Sequence, residues 1–180
     1  TVVHPNFSVK SRENAFRAFI TILNEEVKKP EEERKLGLID SIYSVFEEDV
    51  NVVGTSESIN NIYREKLPFS GVYLNEADLR GLDLSSFILN LQNSSLDDAR
   101  LGGLNLSNVD LTSASLIGAS LPLTNLEGGK FNNANFEGAH LPGVNLESAT
   151  CIQCSFAKAN IGDAKISFMQ ILQSDLRGVN

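Results

Sequence analysis

The sequence predicts a mainly β solenoid whose N-terminal end is covered by α-helix. Three observations carry that prediction. From Leu96 to Leu176 every fifth residue is apolar, seventeen positions in succession. The residue two places before each is mostly small, as at Ala99, Ala114, Ala119, Ala134 and Ala159. Ahead of this tract, residues 11–67 carry apolar side chains at helical spacing. A helix repeats at 3.6 residues and a strand at 2, so a period of five belongs to neither. It belongs to a stack of short units, each turning a corner and lying on the one before.

The helical segment comes first. Phe16, Phe19, Ile20, Leu23 and Val27 fall on one helical face, with Ser11 as the expected N-cap. Pro30 opens a second helix, and Glu31, Glu32 and Glu33 sit in its first turn, where the helix dipole favours them. Its apolar stripe is Leu36, Ile39, Ile42, Tyr43 and Phe46. A loop follows around Asp49–Gly54, and Thr55 or Ser56 starts a third helix bearing Ile59, Ile62, Tyr63 and Leu67. The first coil of a solenoid leaves strand edges and apolar side chains open unless something covers it. Residues 1–67 are therefore read as an α-helical cap or small bundle, and 68–180 as the solenoid. A separate adaptor that binds a partner is the competing reading of the same segment.

The repeating unit is a small residue, a polar residue, a large apolar residue, then two mostly polar ones. Ala77-Asp78-Leu79, Ala134-Asn135-Phe136 and Ala159-Asn160-Ile161 show it most clearly. This resembles the pentapeptide-repeat family, over roughly residues 69–180. The resemblance implies a right-handed quadrilateral β-helix in which four units make one coil and each unit is one side of a square. One large and one small inward side chain per side suit so narrow a section. The frame extends back through Phe69, Leu74, Leu79 and Leu84. It slips by two residues before Leu96, with Leu89 or Leu91 as the intervening bulky position. That makes about twenty-two units, about five and a half coils, and a rod on the order of 26 Å long at the sheet spacing.

Composition narrows the function. The net charge is −8, and apolar residues make up an ordinary 42%. Residues 1–68 hold 12 acidic and 9 basic side chains, and 69–180 hold 11 and 6, so both parts are negative. No basic stripe exists to neutralise phosphates, so direct nucleic-acid binding is not expected, nor is docking on an anionic membrane. No apolar run is long enough to span a bilayer, and no signal-peptide pattern appears. The sequence begins Thr1-Val2-Val3 without a methionine, which leaves an upstream address or membrane segment open. Cys151 and Cys154 form a C-x-x-C, the spacing of a redox pair or half a zinc site. The repeat frame turns both inward, which favours two buried residues acting as small hydrophobes. His4 and His140 lie outside that motif, and no second C-x-x-C exists to complete a metal quartet. The cysteines lean toward a reducing compartment, and the expected localisation is cytoplasmic.

If four units make a coil, residues twenty apart stack. Asn105, Asn125 and Asn145 then form one outward column ending in Lys165, an amide ladder along the axis. Glu127 and Glu147 stack as like charges on a solvated face. Pro122 and Pro142 share a column with Gly102 and Gly162, so that position reads as a corner, with Leu123 pointing outward beside it. Ile152 and Leu172 share another column, and Phe168 belongs to the neighbouring side. Outward apolar residues grouped on the last coils mark the candidate partner-binding or dimer surface: Ile152, Phe168 and Leu172. Val179 fills a compact inward position and the sequence stops at Asn180. A truncated chain, two molecules stacked end to end, or a covering partner would each account for that, and the second predicts a dimer.

No constellation for chemistry emerges: no serine–histidine–aspartate set, no phosphate loop in context, no metal quartet. Gly102-Gly103 and Gly128-Gly129 fall within repeat units. The left-handed acyltransferase solenoids have a period of six, which seventeen fives exclude, and His140 reads as a surface residue. The expected role is a non-enzymatic protein–protein interaction or scaffold module with an unknown partner and no cofactor. The alternative comes from the resemblance: some pentapeptide-repeat proteins inhibit or protect DNA gyrase as acidic, DNA-like rods. Here Arg80, Arg100, Lys130, Lys158, Lys165 and Arg177 dilute the acidic field.

Overall fold

A computed structural model of the chain describes residues 8–27, 29, 66–85 and 87–180. It comprises one helix, α1 (Val9–Val27), and four short strands: β1 (Lys66–Pro68), β2 (Ile88–Asn90), β3 (Thr150–Ile152) and β4 (Gln170–Leu172). β1 pairs in parallel with β2, and β3 with β4. Between them the ladder is made of single parallel bridges twenty residues apart, as at Asn105–Asn125–Asn145–Lys165 and Ser115–Asn135–Ser155–Asp175. Twenty residues contain four units, so four five-residue sides make one coil.

Each side is built the same way. At Asn125 the N–H donates down to Leu104 O (2.9 Å), and the N–H of Leu126 donates up to Asn145 O (2.8 Å). The corner follows. Gly129 N–H bonds back to Leu126 O at 3.0 Å, closing a four-residue turn whose third residue, Gly128, has φ +66°. That third position has positive φ around the solenoid, usually at Gly, Asn, Asp, Ser or Gln. The Asn or Asp before the bulky residue has a specific job there. Its side-chain oxygen accepts the N–H two residues on, as from Asn105 to Ser107 (3.2 Å), Asn135 to Glu137 (2.9 Å) and Asn160 to Gly162 (3.1 Å). Where that Asn or Asp is present, the N–H after the bulky residue is satisfied within the corner and not by the ladder; at Ile117 and Ile152 a side chain of the coil below, Asp97 or Asn132, accepts it instead. Proline at that position, as at Pro122 and Pro142, forfeits no ladder bond; there the residue before the bulky one is Ser120 or His140 instead.

The bulky positions from Leu96 through Phe156 are all buried, and the compact ones pack beside them. Aromatic rings fill the later coils: Phe136 stacks on Phe156 at 4.6 Å, and Phe131 meets Phe136 edge-on at 5.5 Å. In the earlier coils leucines line a narrow apolar channel with Phe16 at its wall. The slip in the frame is a coil of twenty-two residues, since Tyr73 bridges Ser95 and Asp78 bridges Arg100. Leu91 takes the bulky position and Leu89 the compact one, and both are buried. The two extra residues are absorbed where Phe87 ends one turn and β2 runs straight.

Helix α1 packs on this first coil. Phe16, Phe19 and Ile20 are buried, and Phe69 meets Phe16 at 4.9 Å and Phe19 at 5.3 Å. Its polar side chains bond to the backbone edge of that coil. Arg17 donates to the carbonyls of Asp78 and Arg80, Asn24 donates to Asp83 O (2.8 Å), and Glu13 accepts the Asp78 N–H (3.1 Å). The helix begins at Val9, so Ser11 lies inside its first turn and is not the N-cap; Ser8 precedes the helix. The side chains of Leu23 and Val27, the second helix expected from Pro30 and the third expected from Thr55 or Ser56 lie outside the described residues, except that Leu67, expected on the third helix, is in strand β1 and pairs with Leu89.

Candidate interaction surface

The geometry above divides residues into those that hold the coil and those that face out. Outward residues at −1 of each bulky position form flat columns, and the two after it form the corners. The amide ladder is present: Asn125 Nδ2 donates to Asn105 Oδ1 (3.0 Å) and Asn145 Nδ2 to Asn125 Oδ1 (3.1 Å). Glu127 is not left facing only Glu147, since Asn145 Nδ2 also reaches Glu127 Oε2 at 3.3 Å.

Several charged groups along the rod are paired. Lys158 Nζ lies 2.8 Å from Glu137 Oε1, across adjacent coils. That contact raises the Lys158 pKa. Arg177 clasps Asp175 with three hydrogen bonds of 2.6–3.1 Å, which hold the Asp175 carboxyl down at about 2. Arg80 does the same for Asp78, depressing its pKa well below the carboxylate range. For Glu13, burial pushes the pKa up, but the hydrogen bonds from Lys10 and Asp78 and the Lys10 and Arg17 charges outweigh it and leave it lowered.

The three residues expected at an interface sit as follows. Ile152 in β3 and Leu172 in β4 are register partners in one column. Ile152 is half-buried, with its N–H donated to Asn132 Oδ1 (3.1 Å), and Leu172 is 55% exposed. Phe168 stands on the adjacent corner, 88% exposed, with φ +59°. A bulky aromatic at positive φ is uncommon and costs conformational energy. Leu123 is the other large apolar side chain at such a corner, with φ +56° and 75% exposure.

Further apolar surface comes from residues that the frame alone assigns to the core. Ile166, Ile171 and Leu176 occupy bulky inward positions of the last coil, yet they are 53%, 38% and 44% exposed. Periodicity fixes the direction a side chain points, but a neighbouring coil is what buries it. Among the described residues none stacks on coil 161–180. In each coil beneath, the N–H of the bulky residue and the N–H two residues on donate to the next coil. The same groups at Ile166, Phe168 and Leu176 therefore point along the axis away from the coil below.

His140 is exposed on a flat face, 3.4 Å from Asn160 Nδ2. Gly103 and Gly128, one from each glycine pair, are corner residues at positive φ. Cys151 and Cys154 point inward as the frame requires, but they are joined as a disulfide and are not two free thiols. No helix among the described residues is long and apolar enough to cross a membrane.

The family model for pentapeptide repeats matches this chain in eight copies, over residues 90–128, 123–150 and 130–167. The solenoid resembles the crystal structure of the pentapeptide-repeat protein Rfr23 from the cyanobacterium Cyanothece 51142. Identity is 23% and the TM-score 0.55, over 68% of this chain and 97% of that one. A pentapeptide-repeat protein of the Arabidopsis thaliana thylakoid lumen matches at 20% identity and a TM-score of 0.43, over 66% of each chain. QnrB1, a plasmid-mediated fluoroquinolone resistance protein, matches at 23% and 0.41, over 62% of this chain and 59% of its own. None of the curated proteins matches the sequence.

Proposed function

We propose, from the premise that this is a pentapeptide-repeat chain, that it is a non-enzymatic protein–protein interaction module which binds its partner through the C-terminal coil. The observation that carries this reading is the outward apolar surface on the last coils: Phe168 is 88% and Leu172 55% exposed, and Ile152 lies beside Leu172 in the same column. Outward apolar surface of this kind marks contact sites. Ile152, Phe168 and Leu172 are the side chains assigned to the contact, and a second copy of the chain is the first partner to test. The same reading takes residues 1–67 as the cap and 68–180 as a right-handed quadrilateral rod, and places the protein in the cytoplasm without a cofactor. The DNA-mimic alternative has less support, because Arg80, Lys158 and Arg177 pair with the acids around them.

The experiment is light scattering over a concentration series on the wild type and on Phe168→Glu, followed by affinity purification with both. A buried carboxylate is costly in an apolar contact, so the variant loses the dimer or the co-purifying partner while its circular dichroism is unchanged. A monomeric wild type whose co-purified proteins are the same as those of Phe168→Glu overturns the proposal.

A further inference from the structure

The interaction reading leaves unused the chain's only two cysteines, Cys151 and Cys154. Cys151 takes a bulky inward position in β3 and Cys154 the compact position that follows, so one corner of the coil turns both side chains into the same part of the core. Their Cα atoms are 5.5 Å apart, within the span of a disulfide, and the two are bonded. Both are buried, at 0% and 2% exposure.

Their cover is thin. Only coil 161–180 lies over them among the described residues, and its own bulky residues are half exposed. Ile171 stacks on Cys151 through the β3–β4 pair. Ser174 stacks on Cys154, its Oγ 3.5 Å from each sulfur, accepting the Cys154 N–H at 3.3 Å and within donating distance of both Leu172 O (2.9 Å) and Cys151 O (3.1 Å). Ile166, Ile171 and Leu176 of that coil are 53%, 38% and 44% exposed, and a unit that buries little apolar surface is one that opens locally.

We propose that Cys151 and Cys154 are a reversible dithiol–disulfide pair that exchanges with low-molecular-weight thiols and disulfides of the glutathione class, and that its state sets how firmly coil 161–180 is seated. In reduction, an external thiolate attacks one sulfur of the pair, forming a mixed disulfide and expelling the other cysteine as a thiolate. A second external thiolate attacks the external sulfur of that mixed disulfide and releases the remaining cysteine. Two thiols are consumed and one external disulfide formed, two electrons pass to the protein, and the cysteine thiolates take up two protons. Oxidation by the external disulfide is the reverse. Attack must come in line with the buried S–S bond, so coil 161–180 opens first. Two free thiols need van der Waals separation that a bonded pair does not. In an interior packed to crystal density, that volume presses on Ile171 and Ser174, and reduction loosens the coil. A reversible pair is the form that disulfides take in reducing compartments.

The test uses the whole chain equilibrated in glutathione buffers of graded disulfide-to-thiol ratio. Samples are acid-quenched, alkylated with N-ethylmaleimide in denaturant and weighed intact. The expected result is a single transition from two adducts to none. In parallel, trypsin cleavage at Lys165 and Arg177 is expected to be several-fold faster in the reduced protein, and a Cys151→Ala/Cys154→Ala variant is expected to cleave at one rate in either buffer. Two adducts at every ratio, or equal cleavage of the reduced and oxidised wild type, overturns the proposal. Either outcome leaves the Phe168 experiment unaffected.

Discussion

Gly129→Ala tests the packing rule of the solenoid at one atom. Gly129 holds a compact inward position where neighbouring coils carry Val109 and Ala149. Its φ is not positive, so alanine is compatible with the backbone. The obstacle is Phe131: a Cβ at 129 lies 2.6 Å from the Cε1 and Cζ of that ring and 2.9 Å from Leu126 O. Phe131 is fully buried and held edge-on by Phe136, so the ring has nowhere to turn. Overpacking of this kind costs about 1–3 kcal/mol. The lower entropy of an unfolded chain with alanine offsets about 0.4–1 kcal/mol of that. The net expectation is a loss of about 1–2 kcal/mol. Phe131→Leu alone leaves a cavity and costs a similar amount, about 1–2 kcal/mol. Together the two substitutions recreate the combination of compact aliphatic and leucine found one coil below at Val109 and Leu111, so they should cost less than their sum by about 1–2 kcal/mol. Urea unfolding followed by circular dichroism at fixed m-value measures all three. A Gly129→Ala protein as stable as the wild type, or a strictly additive double variant, refutes the claim that Phe131 is what requires glycine at 129.

Two other perturbations follow from the corners and the cap. Asn125→Ala removes two rungs of the amide ladder and the acceptor of the Glu127 N–H. It should destabilise by about 1–3 kcal/mol by the same unfolding measurement, and an unchanged midpoint would remove the ladder as a stabilising device. Glu13 and Asp78 have lowered folded pKa values, so their contribution is complete above their ordinary values of 4.5 and 3.8 and is lost as pH falls toward the folded ones. Protection against amide exchange at Asp78 and in α1, relative to the intrinsic rate at each pH, should therefore fall below pH about 4.5, and Glu13→Gln should flatten the Glu13 part of that dependence.

Much of the solenoid was legible because its inward positions carry a strict code. The chain of bridges at Asn105, Asn125 and Asn145 follows from the period of five once four units share a coil. The slip was less legible: Leu89 and Leu91 are both apolar at a spacing of two, and only the pairing of β1 with β2 tells compact from bulky. The inward code does not by itself tell burial in the last coil, because Ile166, Ile171 and Leu176 follow it without a described neighbour to cover them. The cysteine bond was out of reach for a similar reason. The frame turns Cys151 and Cys154 inward, but their joining depends on how sharply the corner brings the two backbones together. The positive φ of Leu123 and Phe168 had no signal at all, since the corner position accepts many residue types. At α1 the cap residues Phe16, Phe19 and Ile20 were readable from helical spacing, whereas Arg17 and Asn24, which bond the coil edge, look like ordinary surface residues.

The coil of twenty-two residues shows what kinds of length change the rod absorbs. Its two additional residues are taken up within one side, and the columns above and below stay aligned. Inserting one whole repeat would instead advance all later residues by a quarter turn. Phe168 and Leu172 would then look out over a different side of α1, with every local bond intact. Inserting four would lengthen the rod and restore their bearing. Length changes that come in multiples of twenty conserve the angular phase between the two ends, and smaller multiples of five reset it.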